Sequence, residues 1–538
     1  QKRIKNATFT HFFEQKRPKN SIFLLASPII KLYNTLRQGG FARLSHTCMK
    51  RTFMKNIDFQ NGVRFDALNQ DWEATPDRWG VFGVHDPSMI EADGWYYVFS
   101  TGTFRRDLYQ IRRSKDLIHW EFVGEAFDGF AELAPVVGTL KRIYGGDVRT
   151  ENLWAPDVVP AKKGGYWLYG CYTGVFGNNY SVIYLAYSKN IEGPYRYSDM
   201  LVVSGGNWGL TPNAIDPQIF YDAEGRMWLT YGSFYGGIRI LELDPETGLR
   251  KDGFTYEMYK EKRIGKEEYF GKRILTTTNA EGSVVAFKRG VPVYEGDIFE
   301  KEEDKSLWTK KDRFYLMCSA DSLSMDYNMR VWASDKPDEG YMSCPYGRAG
   351  QKVASSFSWR YGEDDLRVSF DFYVPGHNDL YTTEKGVDLV VYHNRTPYTS
   401  KREPRRHYLF ISMYAHNSKG DLVMSPNRYA GERLRKIGRE ELAGRSFDYI
   451  QLGSGNFDCA FAKPGVRLEE DGSLTLKGEP LGKWKLYGDN YVAFTFDGLK
   501  YLGVAMPAWI EADHCAGITV SARGEDGLSF FLNSVAQG

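Results

Sequence analysis

One unit recurs five times between residues 85 and 395, and it limits the fold more than any other feature of this chain. Each copy opens on an acidic or polar residue, runs through a short apolar stretch, reaches a glycine, and continues as an aromatic strand. The copies are HDPSMIEADGWYYVFSTGT (85–103), APDVVPAKKGGYWLYGCYTG (155–174), IDPQIFYDAEGRMWLTYGSF (215–234), AEGSVVAFKRG (280–290) and GHNDLYTTEKGVDLVVYHNR (376–395). Gly94, Gly165, Gly225, Gly290 and Gly386 follow Asp86, Asp157, Asp216, Glu281 and His377 by 8 to 9 residues. Such runs predict hairpins in which glycine supplies the left-handed turn positions. A third, polar-edged piece follows most of them, such as RRSKDLIHW (112–120) or RILELDPETG (239–248). Small antiparallel sheets recurring every roughly 60 to 90 residues predict an all-β, five-bladed β-propeller with long loops. Long apolar stripes of period 3.6 are missing between residues 80 and 430, which argues against a helical fold.

In a propeller the innermost strands run along the axis, so their starts converge at one mouth. Asp86, Asp157, Asp216, Glu281 and His377 are therefore expected to ring a central pocket. Carboxylates held close together push their pKa values apart, which yields a proton donor and a proton acceptor at one pH. Each residue also has a plainer reading. Asp86–Pro87 and Asp216–Pro217 read equally as turn caps, and Asp157 in WAPD as a packing element that binds backbone amides. His377 gains a ligand or metal role from its place in the ring, whereas His393 and His407 read as structural. Trp154, Phe176, Phe234 and Tyr235 fall in the loops expected to line the pocket, where aromatic faces suit sugar rings.

Composition narrows the partners. Lys+Arg number 69 against 68 Asp+Glu, a net charge of +1, so overall charge does not recruit nucleic acid. No stretch approaches the roughly 20 apolar residues of a membrane span. The six cysteines are scattered without a CxxC pair and read as reduced, buried thiols. Residues 1–53 differ from the rest, with eleven Lys/Arg and one acid, Glu14. They read as a signal-like stretch around SIFLLASPII, as a basic arm, or, the preferred reading, as sequence upstream of a true start at Met49 or Met54. The last implies a cytoplasmic protein and a signal implies a secreted one. Residues 54–432 are then the propeller, and 433–538, rich in short strands and turns such as EDGS and FDGL, a small C-terminal β-barrel.

HDPSM, NLWAPDV, NAIDPQIFYDAEG, YGSFYGGIRILELDPETG and GHNDL…VYHNR…SPNRYAGE together resemble glycoside hydrolase family 43, most of all its endo-α-1,5-L-arabinanases. WKLYGDNYVAFTFDGLKYLGVAMPAW (484–509) is similar to the small barrel that follows the propeller in the larger arabinanases. The resemblance implies an inverting hydrolase of arabinan or arabino-oligosaccharides, with Asp86 as general base, Glu281 as general acid and Asp216 as modulator of the acid's pKa. It implies substrate contacts at Asn213, Ala214, Ile215, Gly177, Ser233 and Phe234, and a calcium or other ion near His377, with no organic cofactor. Trp154 and Asp157 join the substrate-binding set from their place beside the pocket. An exo-acting α-L-arabinofuranosidase or β-xylosidase of the same family, or a sugar-binding propeller without activity, are the alternatives. The family reads EGP around the acid, but this chain reads Glu281-Gly282-Ser283, and Glu295 in VYEGDIF is a second candidate. The offset to Gly290 favours Glu281. The segment 291–311, with its EKEEDK run, reads as an insertion that reshapes the cleft. The barrel is expected to pack on the propeller, with carbohydrate binding as its sharper alternative.

Overall fold

The computed structural model describes residues 80–102, 108–149, 152–206, 211–276, 279–323, 325–341, 350–362, 372–395, 407–453 and 460–536. The readings of residues 1–53 lie outside these, as do Cys48, Cys344 and Cys459. Four consecutive sheets come first. Blade I is β1 (His85–Ala92), β2 (Trp95–Thr101), β3 (Gln110–Ser114) and β4 (Glu121–Glu125). Blade II is β5 (Leu153–Pro160), β6 (Tyr166–Thr173), β7 (Ser181–Ser188) and β8 (Arg196–Ser204). Blade III is β9 (Gln218–Tyr221), β10 (Met227–Tyr231), β11 (Ile238–Leu243) and β12 (Lys272–Leu275). Blade IV is β13 (Ala280–Tyr294), β14 (Trp308–Ala320), β15 (Asn328–Ser334) and β16 (Gln351–Ala354). After β17 (Phe357–Ser358), blade V follows as β18 (Gly376–Thr382), β19 (Asp388–Arg395), β20 (His407–His416) and β21 (Leu422–Met424).

The first strand of each blade touches the first strand of the next, and β18 returns to β1, which closes a ring of five. The closure is hydrogen-bonded. Gly83 N–H donates to the His407 carbonyl (2.8 Å), and Leu409 N–H donates to the Val81 carbonyl (2.9 Å). Buried Arg112 fixes the same segment, donating to the carbonyls of Gly80 (2.9 Å) and Phe82 (2.6 Å). Between blades the core is apolar and aromatic: Tyr109, Tyr172 and Tyr184 between I and II, and Phe220, Trp228, Phe314 and Trp332 between III and IV. Helices depart from the all-strand expectation, two of a single turn at Tyr256–Lys260 and Lys266–Phe270 and a longer one, the longest among the described residues. α1 (Ala134–Tyr144) starts with Pro135 in its first turn, ends at left-handed Gly145, and buries only Val136, Thr139 and Leu140. A single short face of this kind leaves little periodic signal.

A closed eight-stranded barrel completes the chain: β22 (Arg445–Gln451), then, after β23 (Ala460–Phe461), β24 (Lys463–Leu468) to β30 (Ser529–Ser534). β23 pairs with β17 rather than with the barrel. Phe447, Val466, Trp484, Phe494 and Phe530 fill the interior. The outside packs on the propeller, with Phe531 beside Phe357 and Trp359, and Val504 and Met506 beside Leu409 and Ile411. Cys171 and Cys318 are free and buried, as expected for reduced thiols, and Cys515 is buried.

The fourth repeat needs correction. Gly290 does not turn the chain: β13 runs on to Tyr294, paired with β14 down to Trp308, and Gly290 lies in a register shift between Lys288 and Val291. The connection that follows lies at the far end of this hairpin from Glu281, roughly 40 Å along a strand rising about 3.3 Å per residue. It packs on the barrel. Lys485 Nζ donates to the carbonyls of Ile298 (3.3 Å) and Lys301 (3.1 Å), Gly488 N–H donates to Glu303 (3.1 Å), and Trp308 stacks on Tyr491. The inserted segment therefore braces the two domains and does not wall the cleft.

Candidate active site

The innermost strands reach the mouth through one local device. Their pairing slips between His85 and Ser88, Trp154 and Asp157, Glu281 and Val284, and Gly376 and Asp379. Inside each slip one residue is left-handed: Asp86 (φ 52°), Ala155 (φ 37°), Gly282 (φ 57°) and His377 (φ 45°), with Asp216 (φ 57°) in the same place ahead of β9. Outside glycine this conformation costs roughly 1–3 kcal/mol and persists where the surroundings impose it. The bulge re-aims the side chains at the strand starts toward the axis.

Asp86, Asp216, Glu281 and His377 come together there, as expected. Asp86 accepts from the Thr101 hydroxyl (2.7 Å) on one oxygen, while His377 Nδ1 (3.1 Å) and His85 Nε2 (3.2 Å) approach the other. Burial opposes ionisation of Asp86, but His377, His85 and Thr101 outweigh it and hold the carboxyl below its ordinary range. Asp216 accepts from Gly282 N–H (3.3 Å), and Glu281 accepts from the Ser233 hydroxyl (3.0 Å). Burial pushes both of these carboxyls up, and neighbouring anions add to it, Asp86 on both and Glu281 on Asp216. The Tyr327 hydroxyl, His377 and Ser233 pull Glu281 partly back. Partial burial of His377 disfavours its charge, yet the surrounding carboxylates raise its pKa. The cluster thus contains one acid held as an anion and two that favour their protons.

Asp157 stands elsewhere. It follows the left-handed Ala155 by two residues and lies one layer deeper, where it accepts from the Ser88 hydroxyl (2.8 Å) and Ile219 N–H (2.6 Å). That is the packing role, and it replaces the expected place in the upper ring. Asp379 of blade V matches it, accepting from Met89 N–H (2.8 Å). Glu295 is also excluded from the cluster by position: it pairs with Lys311 (2.8 Å) at the far end of β13, half exposed.

The other expected contacts divide. Asn213, Ala214 and Ile215 are buried, and they seat Asp216: Asn213 accepts from the Ser181 hydroxyl (2.7 Å) and Ala214 N–H donates to Ser204 (2.9 Å). Ser233 reaches Glu281 directly, and the next residue, Phe234, is left-handed (φ 53°). Tyr235 donates to the Gly177 carbonyl (2.9 Å), which ties the loops of blades II and III. Beside that tie Phe176, 72% exposed, meets the edge of Trp154 at 5.8 Å between centroids, a solvent-facing aromatic pair.

Below His377 a cavity of about 20 Å³ is lined by Ser88, Asp157, Gln218, Ser283, Asn378 and Asp379, among others. Both amide atoms of Asn378 and the Ser283 hydroxyl are buried there without partners. Beside Asp86, three histidines gather: His85, His393 and His407 each bring a ring nitrogen within 4.8 Å of the others. His393 and His407, read from the sequence as structural, thus stand beside Asp86. Their signal was weak because His393 lies on the second strand of its blade and His407 on the third.

Comparison with known proteins decides the family. The sequence profile of Glycosyl hydrolases family 43 matches residues 82–414, and that of a C-terminal lipocalin-like domain matches 426–532. The chain belongs to glycosyl hydrolase family 43. It is 30% identical over 490 residues to the extracellular endo-alpha-(1->5)-L-arabinanase of Thermotoga petrophila, covering 84% of this chain and 93% of that one. Extracellular endo-alpha-(1->5)-L-arabinanase 2 of Bacillus subtilis is 28% identical over 464 residues, 79% and 87% of the two chains. The crystal structure of endo-1,5-alpha-L-arabinanase from Thermotoga petrophila RKU-1 superposes with a TM-score of 0.66 at 28% identity, covering 86% of this chain and 100% of that chain. As a family 43 glycoside hydrolase the chain needs a proton donor and a proton acceptor flanking one glycosidic bond. Of the residues around them, Thr101, Tyr327 and His85 escaped the sequence reading. His85 alone carried a signal, as the residue before Asp86 in HDP.

Proposed function

We propose that this protein hydrolyses internal α-1,5-L-arabinofuranosidic bonds of arabinan with inversion, Asp86 acting as general base and Glu281 as general acid. The supporting observation is the division of charge among three carboxyls from three blades, Asp86 below its ordinary pKa and Asp216 and Glu281 above theirs. Asp86 accepts a proton from water as that water's oxygen bonds to the anomeric carbon. Glu281 gives its proton to the leaving oxygen as the glycosidic bond breaks. Exchange with solvent then resets both groups. Asp216 raises the affinity of Glu281 for its proton and, through Gly282 N–H, fixes the strand that carries it. The Phe176–Trp154 pair supports the carbohydrate assignment, since exposed rings pack on the C–H faces of sugars.

A calcium ion fits the cavity below His377. It has room for about one water or ion, its walls are rich in the oxygen donors that calcium requires, and the bare atoms of Asn378 and Ser283 lack partners. Asp157, Gln218, Asn378 and Asp379 would hold it, and it would supply positive charge beneath the carboxyls.

Linear arabinan is the deciding substrate, with products sized by chromatography and their anomeric configuration followed by NMR at early times. Oligosaccharides of inverted configuration are expected. Immediate release of arabinose alone would mean exo action, retained configuration would remove the inverting mechanism, and binding without new reducing ends would remove catalysis.

A further inference from the structure

Hydrolysis as proposed uses His85 only to hold Asp86 ionised and leaves His393 and His407, gathered beside it, without a task. The three come from β1, β19 and β20, brought together where blade V closes on blade I. The rings of His85 and His407 stack at 4.0 Å between centroids, and His393 lies 4.8 Å from each. His393 is fully buried, and its Nε2 has no hydrogen-bond partner. His85 and His407 are only partly covered, so solvent reaches the cluster. Asp86 adds an oxygen, 3.2 Å from His85 Nε2 and 3.7 Å from His393 Nδ1. Arg395 donates to His407 Nε2 (2.7 Å), so a cation already rests against this nitrogen lone pair.

Three imidazoles and one carboxylate match the tetrahedral nitrogen–oxygen sets of zinc and its neighbours. They do not match calcium, which takes six to eight oxygens. The geometry points to a site for a divalent transition cation such as Zn²⁺, formed by His85, His393 and His407 with Asp86 as fourth ligand. The metal displaces the Arg395 guanidinium from His407 and takes one ring nitrogen of His393, whose Nδ1 faces Asp86. It is distinct from the cavity below His377. Occupancy withdraws the Asp86 carboxylate from water and stops hydrolysis. That consequence rests on Asp86 being the base, whereas binding itself does not.

The test therefore reads binding without turnover. The full chain, stripped with EDTA, is titrated with Zn²⁺ by calorimetry, with and without excess Ca²⁺, and separately with Co²⁺. One Zn²⁺ per chain is expected, indifferent to Ca²⁺, and Co²⁺ should show the intense visible absorption of a four-coordinate ion that Zn²⁺ abolishes. His407→Gln should weaken Zn²⁺ binding by more than about 100-fold, beyond the 10–100-fold that an outer partner carries. Arg395→Gln should tighten it. No stoichiometric Zn²⁺, a weak octahedral Co²⁺ spectrum, or unchanged affinity in His407→Gln would overturn the site, and the Co²⁺ spectrum decides even if that variant does not fold. Zn²⁺ should inhibit arabinan hydrolysis with the half-saturation of binding. Binding without inhibition would remove Asp86 from the ligand set.

Discussion

Two layers of carboxylates line the propeller axis, two residues apart in the chain, and their surroundings drive the same side chain in opposite directions. Asp86, in the upper layer, meets His377, His85 and Thr101 and stays below its ordinary pKa despite complete burial. Asp157, in the lower layer, meets a hydroxyl and backbone amides, and in the calcium-free protein burial lifts it from 3.8 to about 6. Asp379, matched to it in blade V, rises to about 7, from burial first and then the nearby Asp157. Amide and hydroxyl donors favour the anion of Asp157 but do not offset its burial, whereas the imidazoles beside Asp86, together with Thr101, do offset it. The upper layer is thus equipped to move protons, and the lower one to hold strands together.

The sharpest break between the layers is catalytic. Glu281→Gln and Asp86→Asn are each expected to lower kcat on linear arabinan by about 10³-fold, within the 10²–10⁴ range of a general acid or base. Asp157→Asn should leave kcat within about tenfold, or roughly 1.4 kcal/mol. Loss of turnover in Asp157→Asn equal to that of Glu281→Gln, in a protein that still folds, would erase the distinction.

Stability gives the next largest contrast. A carboxyl raised from 3.8 to about 6 on folding binds protons more tightly in the native state, so its contribution to stability falls as pH rises between those values. The shift corresponds to about 3 kcal/mol. In calcium-free buffer, denaturant unfolding of Asp157→Asn should therefore gain on the wild type by up to about that amount between about pH 4 and pH 6, and then run parallel. Asp86→Asn should show the opposite trend, because the charge it removes is favourable in the native protein. A difference between Asp157→Asn and wild type that stays flat across this window would refute the layer assignment.

How far the sequence reveals these layers depends on the backbone. The hairpins, five blades and barrel follow from alternating apolar residues and regular punctuation, signals that need no tertiary information. Asp157 misleads because its offset to Gly165 equals that of Asp86 to Gly94 for a different reason. β1 continues six residues past Asp86 to a turn of Asp93 and Gly94, whereas β5 continues only three past Asp157 to a longer turn of residues 161–165. The equal spacing conceals a two-residue difference in depth. Glu281 lies at the strand start although Gly290 is a bulge, because that bulge falls where the other hairpins turn. Tyr327, Thr101 and the histidine cluster could not be read, since their partners lie on other blades or other strands and only the closed ring unites them.

A smaller effect tests how the upper layer keeps Asp86 ionised. Thr101→Val removes the 2.7 Å donor without changing the side chain's size. The carboxyl loses a stabiliser of its anion, so its pKa rises and the acidic limb of kcat/KM moves to higher pH. A hydrogen bond to a charged group contributes about 1.5–3 kcal/mol, and His377 and His85 remain, so a shift of about one pH unit is expected. An unmoved acidic limb would mean that the limb does not report Asp86.

The smallest expected effect belongs to the second glutamate of blade IV. Glu295 and Glu281 share strand β13, fourteen residues apart, and both were candidates for the acid. Glu281 lies half-buried between Ser233 and the other carboxyls, with its pKa raised, whereas Glu295 lies half exposed beside Lys311 and Thr309, which pull its pKa down. A general acid must hold its proton near neutral pH, and an exposed carboxylate paired with lysine does not. Glu295→Gln should therefore leave kcat and KM unchanged within about twofold and barely alter stability, as for other surface ion pairs. Should Glu295→Gln abolish turnover while Glu281→Gln retains it, the proton donor would have to approach the substrate from the barrel side, and the axial cluster would no longer be the reacting centre.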